Sequence, residues 1–216
     1  MKRSLLIVFA LLILVAGCVP ILRPAKQPVA SATNSHKILL MLREVSDDEE
    51  TLDYMLNHEV GVMVPMLEKA GYDVTLASAS GEPLTGITTT LPIDMKLTDV
   101  NVNDYAGYVI PCMAAGSSDV IPPEFLPVVQ KAMATGRPLA AQQSGSDVLY
   151  TAGVLKGKHY AAQSDLPGAT NMGNVVVQDG NLITSGVCPN MARNMGLQDG
   201  TPELMQKFIA ALGSAQ

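Results

Sequence analysis

Residues 138–155 read PLAAQQSGSDVLYTAGVL, and this stretch decides the fold. An apolar run with strand character stops at a small polar turn, and the chain then continues with helical spacing. In open α/β proteins such a sharp turn from strand to helix often holds a catalytic nucleophile. The residue at this turn is Gln143, whose side-chain amide has no proton to lose at neutral pH and no useful nucleophilicity. The stretch therefore predicts the elbow of an active site without its nucleophile.

Strand-like and helix-like segments alternate on both sides of this elbow. Three apolar runs are typical of buried parallel strands: KILLML at 37–42, DVTLAS at 73–78 and YAGYVIP at 105–111. Three segments have helical spacing: 58–72, with Pro65 predicting a kink or a late helix start, 122–136 and 201–213. Asp179-Gly180 between two apolar runs predicts a hairpin. The alternation predicts a single α/β domain over 36–216, a mostly parallel sheet with helices on both faces.

The first 18 residues have the pattern of a bacterial export signal. Lys2 and Arg3 precede an apolar run at 5–16 that is too short for a comfortable membrane span. The run ends in VAGC at 15–18, which resembles the lipobox of bacterial lipoproteins. This resemblance implies that residues 1–17 are a signal peptide and that Cys18 becomes the acylated N-terminus. The alternatives are an uncleaved signal anchor and an ordinary signal peptide with a chance cysteine.

Residues 18–35 then form the lipidated cysteine and a flexible tether, because the segment has three prolines, small polar residues and no periodicity. Several acyl chains hold a protein stably on a membrane. We expect a location in the bacterial cell envelope, at the outer membrane or the cell surface, facing the periplasm or the exterior. The formal net charge of -6 argues against nucleic acid as a partner.

Five stretches occur along the chain in a characteristic order. They are HEV with AGYDVTLAS (58–60 and 70–78), DYAGYVIP (104–111), TGRPLAAQQSG (135–145), TAGVLKGK (151–158) and DGNLITSG (179–186). Their order and spacing resemble the PfpI/ThiJ superfamily, the relatives of an intracellular protease and of a parkinsonism-associated protein. The resemblance implies a flavodoxin-like, class I glutamine amidotransferase-like fold, and a homodimer as the family-level oligomer.

In that superfamily a glutamate near the start of the first helix shares a proton with the thiol of a cysteine at the elbow. By this resemblance the glutamate is Glu59, twelve residues before Gly71. The elbow cysteine corresponds to Gln143, and the histidine that often follows it corresponds to Ser144. The other interpretation of Glu59 is a carboxylate favoured by the dipole at a helix N-terminus, and the two interpretations can hold together.

The resemblance also places an oxyanion hole, made by backbone N–H groups near the elbow and in a Gly-Gly loop after the third strand. That loop reads Cys112-Met113 here, whereas Gly145 of the elbow is retained. The site is therefore degenerate by this comparison, and the family's cysteine-based reaction cannot proceed with these residues.

Three residues could take over the role of the missing cysteine nucleophile. Ser144 is either a replacement nucleophile or a turn serine that caps the next helix. Cys112 and Cys188 fall on loops that meet at the carboxyl edge of the sheet. They form a disulfide across the degenerate site, remain two free buried thiols, or supply one replacement nucleophile beside Glu59.

No metal site and no cofactor are predicted, because His36, His58 and His159 stand alone in the sequence. The sequence favours a non-catalytic module that binds a small molecule or a protein partner around Glu59 and the elbow. The alternative is a residual hydrolase, deglycase or glyoxalase that uses Cys112, Cys188 or Ser144.

Overall fold

The computed structural model describes residues 36–44, 48–116 and 119–214. Its strands in chain order are β1 (Lys37–Met41), β2 (Asp73–Ser78), β3 (Leu84–Thr85), β4 (Thr90–Leu91), β5 (Met95–Lys96), β6 (Gly107–Ile110), β7 (Leu139–Gln142), β8 (His159–Tyr160), β9 (Thr170–Asn171), β10 (Val176–Asp179) and β11 (Leu182–Ser185). Its α-helices are α1 (Glu49–Met55), α2 (Gly61–Lys69), α3 (Phe125–Ala134), α4 (Gly145–Thr151), α5 (Pro189–Met195) and α6 (Thr201–Ser214). A π-helical turn, Leu56–Val60, joins α1 to α2, and the two 3₁₀ turns are Leu97–Asp99 and Val102–Asp104.

Seven of the described strands form one sheet in the order β10-β11-β7-β6-β1-β2-β5. All neighbours in it pair in parallel except β10 and β11, which are antiparallel with Asp179 opposite Leu182. The prediction of a mostly parallel α/β sheet is therefore confirmed, and so is the hairpin predicted at Asp179-Gly180.

The two faces of the sheet carry separate apolar cores, since successive side chains of a strand point to opposite faces. Leu39 and Met41 of β1 pack with α3 and α4, whereas Ile38 and Leu40 pack with α2 and α6. Helices thus cover both faces, as the alternation of segments predicted.

The first helical segment begins earlier than the sequence predicted. The pattern indicated a start at residue 58, but α1 begins at Glu49, where the Asp48 side chain caps the helix by accepting from the N–H of Glu50. The charged composition of residues 43–54 concealed the buried Leu52 and Met55, which are three residues apart on one helix face. Pro65 lies inside α2, and the π-helical turn precedes it by one helical turn.

The signal peptide, Cys18 and the tether lie outside the described residues. Within the described ranges, no helix is long and apolar enough to cross a membrane.

Candidate functional site

Gln143 stands at the sharp turn between β7 and α4. Its φ of 44° lies in the left-handed region, which non-glycine residues rarely adopt and which costs about 1–3 kcal/mol. The turn is held by two backbone hydrogen bonds, because the N–H of Gln143 donates to the carbonyl of Ser185 at 2.7 Å and its carbonyl accepts from Ser146 at 2.9 Å. The structure therefore has the strained strand-to-helix elbow that the sequence predicted, with a glutamine at its tip.

Glu59 is fully buried and lies in the π-helical turn, ten residues after the start of α1. One carboxylate oxygen accepts from the backbone N–H of Cys112 and the other from the N–H of Met113, both at 2.8 Å. The interpretation of Glu59 as a helix N-terminal carboxylate is wrong, because the helix begins at Glu49 and continues without a break into the π-helical turn that holds Glu59. Met113 and Ala114 of the loop after β6 both have a φ of 54°, so the carboxylate holds a strained segment in place.

Burial raises the pKa of Glu59 well above its ordinary value, and the nearby Cys112 raises it further. The two backbone N–H groups oppose this shift, because they stabilise the ionised form. Burial dominates, so folding favours the protonated carboxyl.

The Cys112 side chain points inward from the loop after β6 and is only 1% exposed. Its thiol donates to the amide oxygen of Gln143, with Sγ and Oε1 3.0 Å apart. Burial raises the pKa of the Cys112 thiol well above its ordinary value, and the nearby Cys188 raises it further. Because the thiolate is the nucleophilic form, this shift works against the reactivity of the Cys112 sulfur.

Ser144 is buried directly after the elbow, and its hydroxyl does not cap α4. The hydroxyl donates to the Cys112 carbonyl at 2.9 Å and lies 3.3 Å from the Cys112 sulfur. The interpretation as a capping serine is therefore wrong, since the side chain ties the elbow to the loop after β6. No histidine side chain is among the hydrogen-bond partners of Ser144 in the described residues.

Cys188 lies immediately before α5 and is 2% exposed. Both Cys188 and Cys112 are free thiols in the structure. They open onto a pocket of about 300 Å³ at the carboxyl edge of the sheet. We name it the elbow pocket, and its side chains include Cys112, Gln143, Gln163, Cys188, Asn190 and Met191.

Arg43 follows β1 at the same edge of the sheet and is 1% exposed. Its Nη2 donates to the carbonyl of Asp119 at 3.2 Å, but within the described part of the chain Nε and Nη1 have no acceptor. The guanidinium interacts electrostatically with Asp119, Asp147 and Cys112. Arg43 was missed from the sequence, although a charge directly after a buried strand is a usable signal.

The structure thus brings together Glu59, Cys112, Gln143, Ser144 and Cys188 around one loop and one elbow. It places the three histidines elsewhere: His58 is exposed against the Tyr54 ring, His159 pairs with Asp179, and His36 precedes β1. Among the described residues, no three His, Cys, Asp or Glu side chains are grouped as metal ligands. The pocket residues on α5, Asn190 and Met191, were also missed, because the last stretch of the resemblance ends at Gly186.

The raised pKa of Glu59 predicts a pH dependence of stability. A carboxyl whose pKa is higher in the folded than in the unfolded chain contributes its full stability below the unfolded value of about 4.3. That contribution is lost as the pH rises through the folded pKa. We therefore expect the difference in unfolding free energy between the wild type and Glu59→Gln to shrink from pH 5 to pH 8, measured by urea denaturation. A constant difference would show that ionisation of Glu59 is not coupled to folding.

Comparison with known proteins relates this chain to one protein family and to one relative of moderate identity. The model of the DJ-1/PfpI family matches residues 51–196, a range that includes all five residues of the site. An uncharacterised protein of Archaeoglobus fulgidus is 33% identical over 126 residues, which are 55% of this chain and 75% of the relative.

Two solved structures illustrate the similarity in fold. A ThiJ/PfpI domain protein from Brachyspira murdochii superposes with a TM-score of 0.62 at 15% identity, covering 83% of this chain and 98% of the other. DJ-1beta of Drosophila melanogaster gives a TM-score of 0.56 at 22% identity, with 83% and 96% covered. At these identities the two structures establish the shared fold alone.

Proposed function

The chain belongs to the DJ-1/PfpI family, and from this premise we propose that it is a membrane-anchored envelope lipoprotein with a non-catalytic binding site. In this proposal Gln143 stands where the family has its nucleophilic cysteine. The elbow pocket binds a small molecule or part of a protein partner. The observation that carries the proposal is the hydrogen bond from the Cys112 thiol to the Gln143 amide oxygen, because it occupies both groups inside the protein.

The state of the thiols supports a loss of catalysis. A nucleophilic cysteine needs a lowered pKa and access to substrate. Cys112 has a raised pKa and is almost completely buried, and its sulfur also lies close to the Ser144 hydroxyl. Neither the Cys112 thiol nor the Ser144 hydroxyl is placed beside a general base, because Glu59 accepts hydrogen bonds from backbone N–H groups instead.

The loop after β6 supports the same conclusion. An oxyanion hole needs backbone N–H groups that point at the reacting atom. The N–H groups of Cys112 and Met113 point at Glu59 and are both satisfied there. These donors are therefore withdrawn from substrate, and Glu59 acts as a structural residue of the loop.

The elbow pocket itself supports binding. Its volume of about 300 Å³ is at the lower end of the range for small-molecule sites. Polar side chains of Gln143, Gln163 and Asn190 line one part and the sulfur-containing side chains line another. This combination suits a small ligand without strong charge.

The experiment that tests the loss of catalysis uses the full chain purified in detergent. Methylglyoxal, ester and peptide substrates are assayed with the wild type and with Gln143→Cys. We expect no turnover by the wild type. The Gln143→Cys variant should gain one thiol that a maleimide labels on the native protein, because residue 143 lines the pocket.

Cys112→Ala is the matched variant for this assay. Turnover by the wild type that disappears in Cys112→Ala would contradict the proposal and favour the residual-enzyme alternative. Circular dichroism of each variant shows whether a loss of activity reflects unfolding.

The anchoring part of the proposal rests on the VAGC sequence at 15–18. We expect Cys18→Ala to abolish acylation and to remove the mature protein from the membrane fraction, since stable anchoring requires the acyl chains. Mass spectrometry of the N-terminal peptide measures the acyl modification directly. An unmodified Cys18 in the wild-type protein would contradict this part of the proposal.

A further inference from the structure

Two carboxamide side chains line the elbow pocket. Gln143 is at the tip of the elbow, Asn190 is in the first turn of α5, and both residues are half-buried. A carboxamide has two ends, an oxygen that accepts hydrogen bonds and an NH₂ group that donates them. The end that faces the pocket therefore decides which ligand atoms the side chain can hold.

The amide oxygen of Gln143 faces the protein. It accepts from the backbone N–H of Ser144 and from the Cys112 thiol, with Oε1 and Sγ 3.0 Å apart. A backbone N–H can only donate, so the amide atom that it contacts must be the oxygen and not the nitrogen. Ser144 and Cys112 are both buried, and the NH₂ group lies at the other end of the amide, away from them.

The amide oxygen of Asn190 is held in the same way. It accepts from Nη2 of Arg193 at 2.9 Å and from the side-chain amide of Asn194 at 3.3 Å. A guanidinium has no acceptor atom, so the contact with Arg193 also fixes the orientation of the amide. The Cζ of Arg193 lies 4.1 Å from the centre of the Tyr54 ring, and this cation–π contact helps to hold the guanidinium in place. Asn190 is thus also left with a free NH₂ group.

Neither NH₂ group is sealed inside the protein. Within the described part of the chain, both side chains make their hydrogen bonds through oxygen, and neither amide nitrogen donates to another residue. In the same residues, the fully buried side-chain nitrogens and oxygens that lack a partner all belong to Arg43. The two amide nitrogens therefore reach open space, and the pocket that both side chains line provides that space.

We infer that Gln143 and Asn190 select a neutral ligand that offers a carbonyl oxygen, such as the amide group of a peptide or of a small carboxamide. This inference rests on the proposed function, because it names the ligand class of the same site. The two NH₂ groups can donate to an oxygen, but they cannot accept from an ammonium group. None of the described residues that line the pocket is charged, so a charged ligand would lose its water there without a partner of opposite charge.

The NH₂ group of Gln143 is also ordered before a ligand arrives. Its backbone is held at a φ of 44° by the hydrogen bonds of its N–H to Ser185 and of its carbonyl to Ser146. Its amide is held by Ser144 and Cys112. A ligand therefore meets a donor that is already in position, and binding loses little additional conformational entropy of this side chain.

The test titrates three probes of similar size, propionamide, propionate and propylammonium, into the isotope-labelled full chain in detergent and follows the side-chain amide resonances by NMR. We expect propionamide to bind with a dissociation constant on the order of millimolar, because a probe with few non-hydrogen atoms has limited affinity. It should shift the NH₂ resonances of Gln143 and Asn190. Propionate and propylammonium should bind about tenfold more weakly.

Two substitutions remove one NH₂ group each and keep the oxygen. Gln143→Glu retains an acceptor for Ser144 and Cys112, and Asn190→Asp retains one for Arg193. At about pH 8 an accessible carboxyl is ionised, so both variants should lose about tenfold in affinity for propionamide and gain affinity for propylammonium. This reversal of preference reports the direction of the hydrogen bond, which a merely structural role of the two amides would not change.

Gln178→Glu is the matched control, because Gln178 is exposed on β10 and does not line the elbow pocket. It carries the same chemical change and should bind the three probes as the wild type does. Thermal unfolding compares the stability of all variants. Asn190 lies on α5 and not on the elbow, so Asn190→Asp tests the inference even where Gln143→Glu is unstable.

The inference is overturned if the wild type binds none of the probes, or if it binds either charged probe as tightly as propionamide. It is also overturned if Gln143→Glu and Asn190→Asp both bind propionamide as the wild type does. These results are distinguishable from a failure of the proposed function, which is judged by substrate turnover. Turnover together with the preference for propionamide overturns the non-catalytic function alone, and a chain that neither binds the probes nor turns over substrate overturns the ligand class alone.

Discussion

Replacing Glu59 by alanine is expected to lower the free energy of unfolding by about 2–6 kcal/mol. The substitution leaves the buried N–H groups of Cys112 and Met113 without an acceptor, and each unsatisfied buried donor costs about 1–3 kcal/mol. Relaxation of the strained positive φ of Met113 and Ala114, which the carboxylate holds in place, would recover part of this loss. Urea denaturation at a pH near neutrality measures the loss.

Glu68→Ala is the control for this prediction, since Glu68 is exposed on α2, the helix that continues from the π-helical turn. We expect its effect to stay within about 0.5 kcal/mol. Glu59→Ala should also make Cys112 more accessible to thiol reagents in the native protein, because the loop loses both of its anchoring bonds. Equal stability of the two variants would show that water replaces the carboxylate at no cost.

Replacing Gly145 by alanine is expected to destabilise the elbow by about 1–3 kcal/mol or more. A Cβ at this position would lie 2.6 Å from the Ile110 carbonyl oxygen and 3.3 Å from the Ile110 Cγ2. The oxygen belongs to the backbone of β6, a central strand, so the conflict cannot be relieved by rotating a side chain. Either β6 or the start of α4 must move, and both border the site.

Gly213→Ala is the matched control, because a Cβ there meets no atom within 4 Å and the residue lies in α6. Alanine is favoured over glycine in helices, so this variant should be neutral or slightly more stable. Thermal unfolding compares the two substitutions. A Gly145→Ala protein as stable as Gly213→Ala would show that the elbow has more room than its geometry indicates.

The sheet could be predicted because its strands are read from local patterns. Continuous apolar runs such as KILLML and the Asp179-Gly180 turn depend on neighbours in the chain, and the structure has both. The helix start at Glu49 was missed because the acidic residues around it resemble a loop. The spacing of Leu52, Met55 and Leu56 was the available signal, and all three are buried.

The sequence predicted which residues form the site, but it did not predict which hydrogen bonds they make. The resemblance to the superfamily identified Glu59 as the carboxylate of the site, but its partners in the structure are backbone groups of the loop after β6. Which atoms a side chain contacts depends on rotamers and on positive φ angles at Met113 and Gln143, and neither is encoded in a short motif. The bond between Cys112 and Gln143 could be found only from the folded chain.

Glu59 lies in the π-helical turn at Leu56–Val60, so the direction of its side chain depends on the number of residues in that turn. Such turns behave as one-residue insertions in an α-helix. Deleting one residue there would let the turn close as regular α-helix, which would keep α1 and α2 in register but change the direction of the side chains inside the turn, that of Glu59 included. A change in the number of residues, with no change in their chemistry, would then be enough to turn Glu59 away from the loop after β6 and dismantle the site.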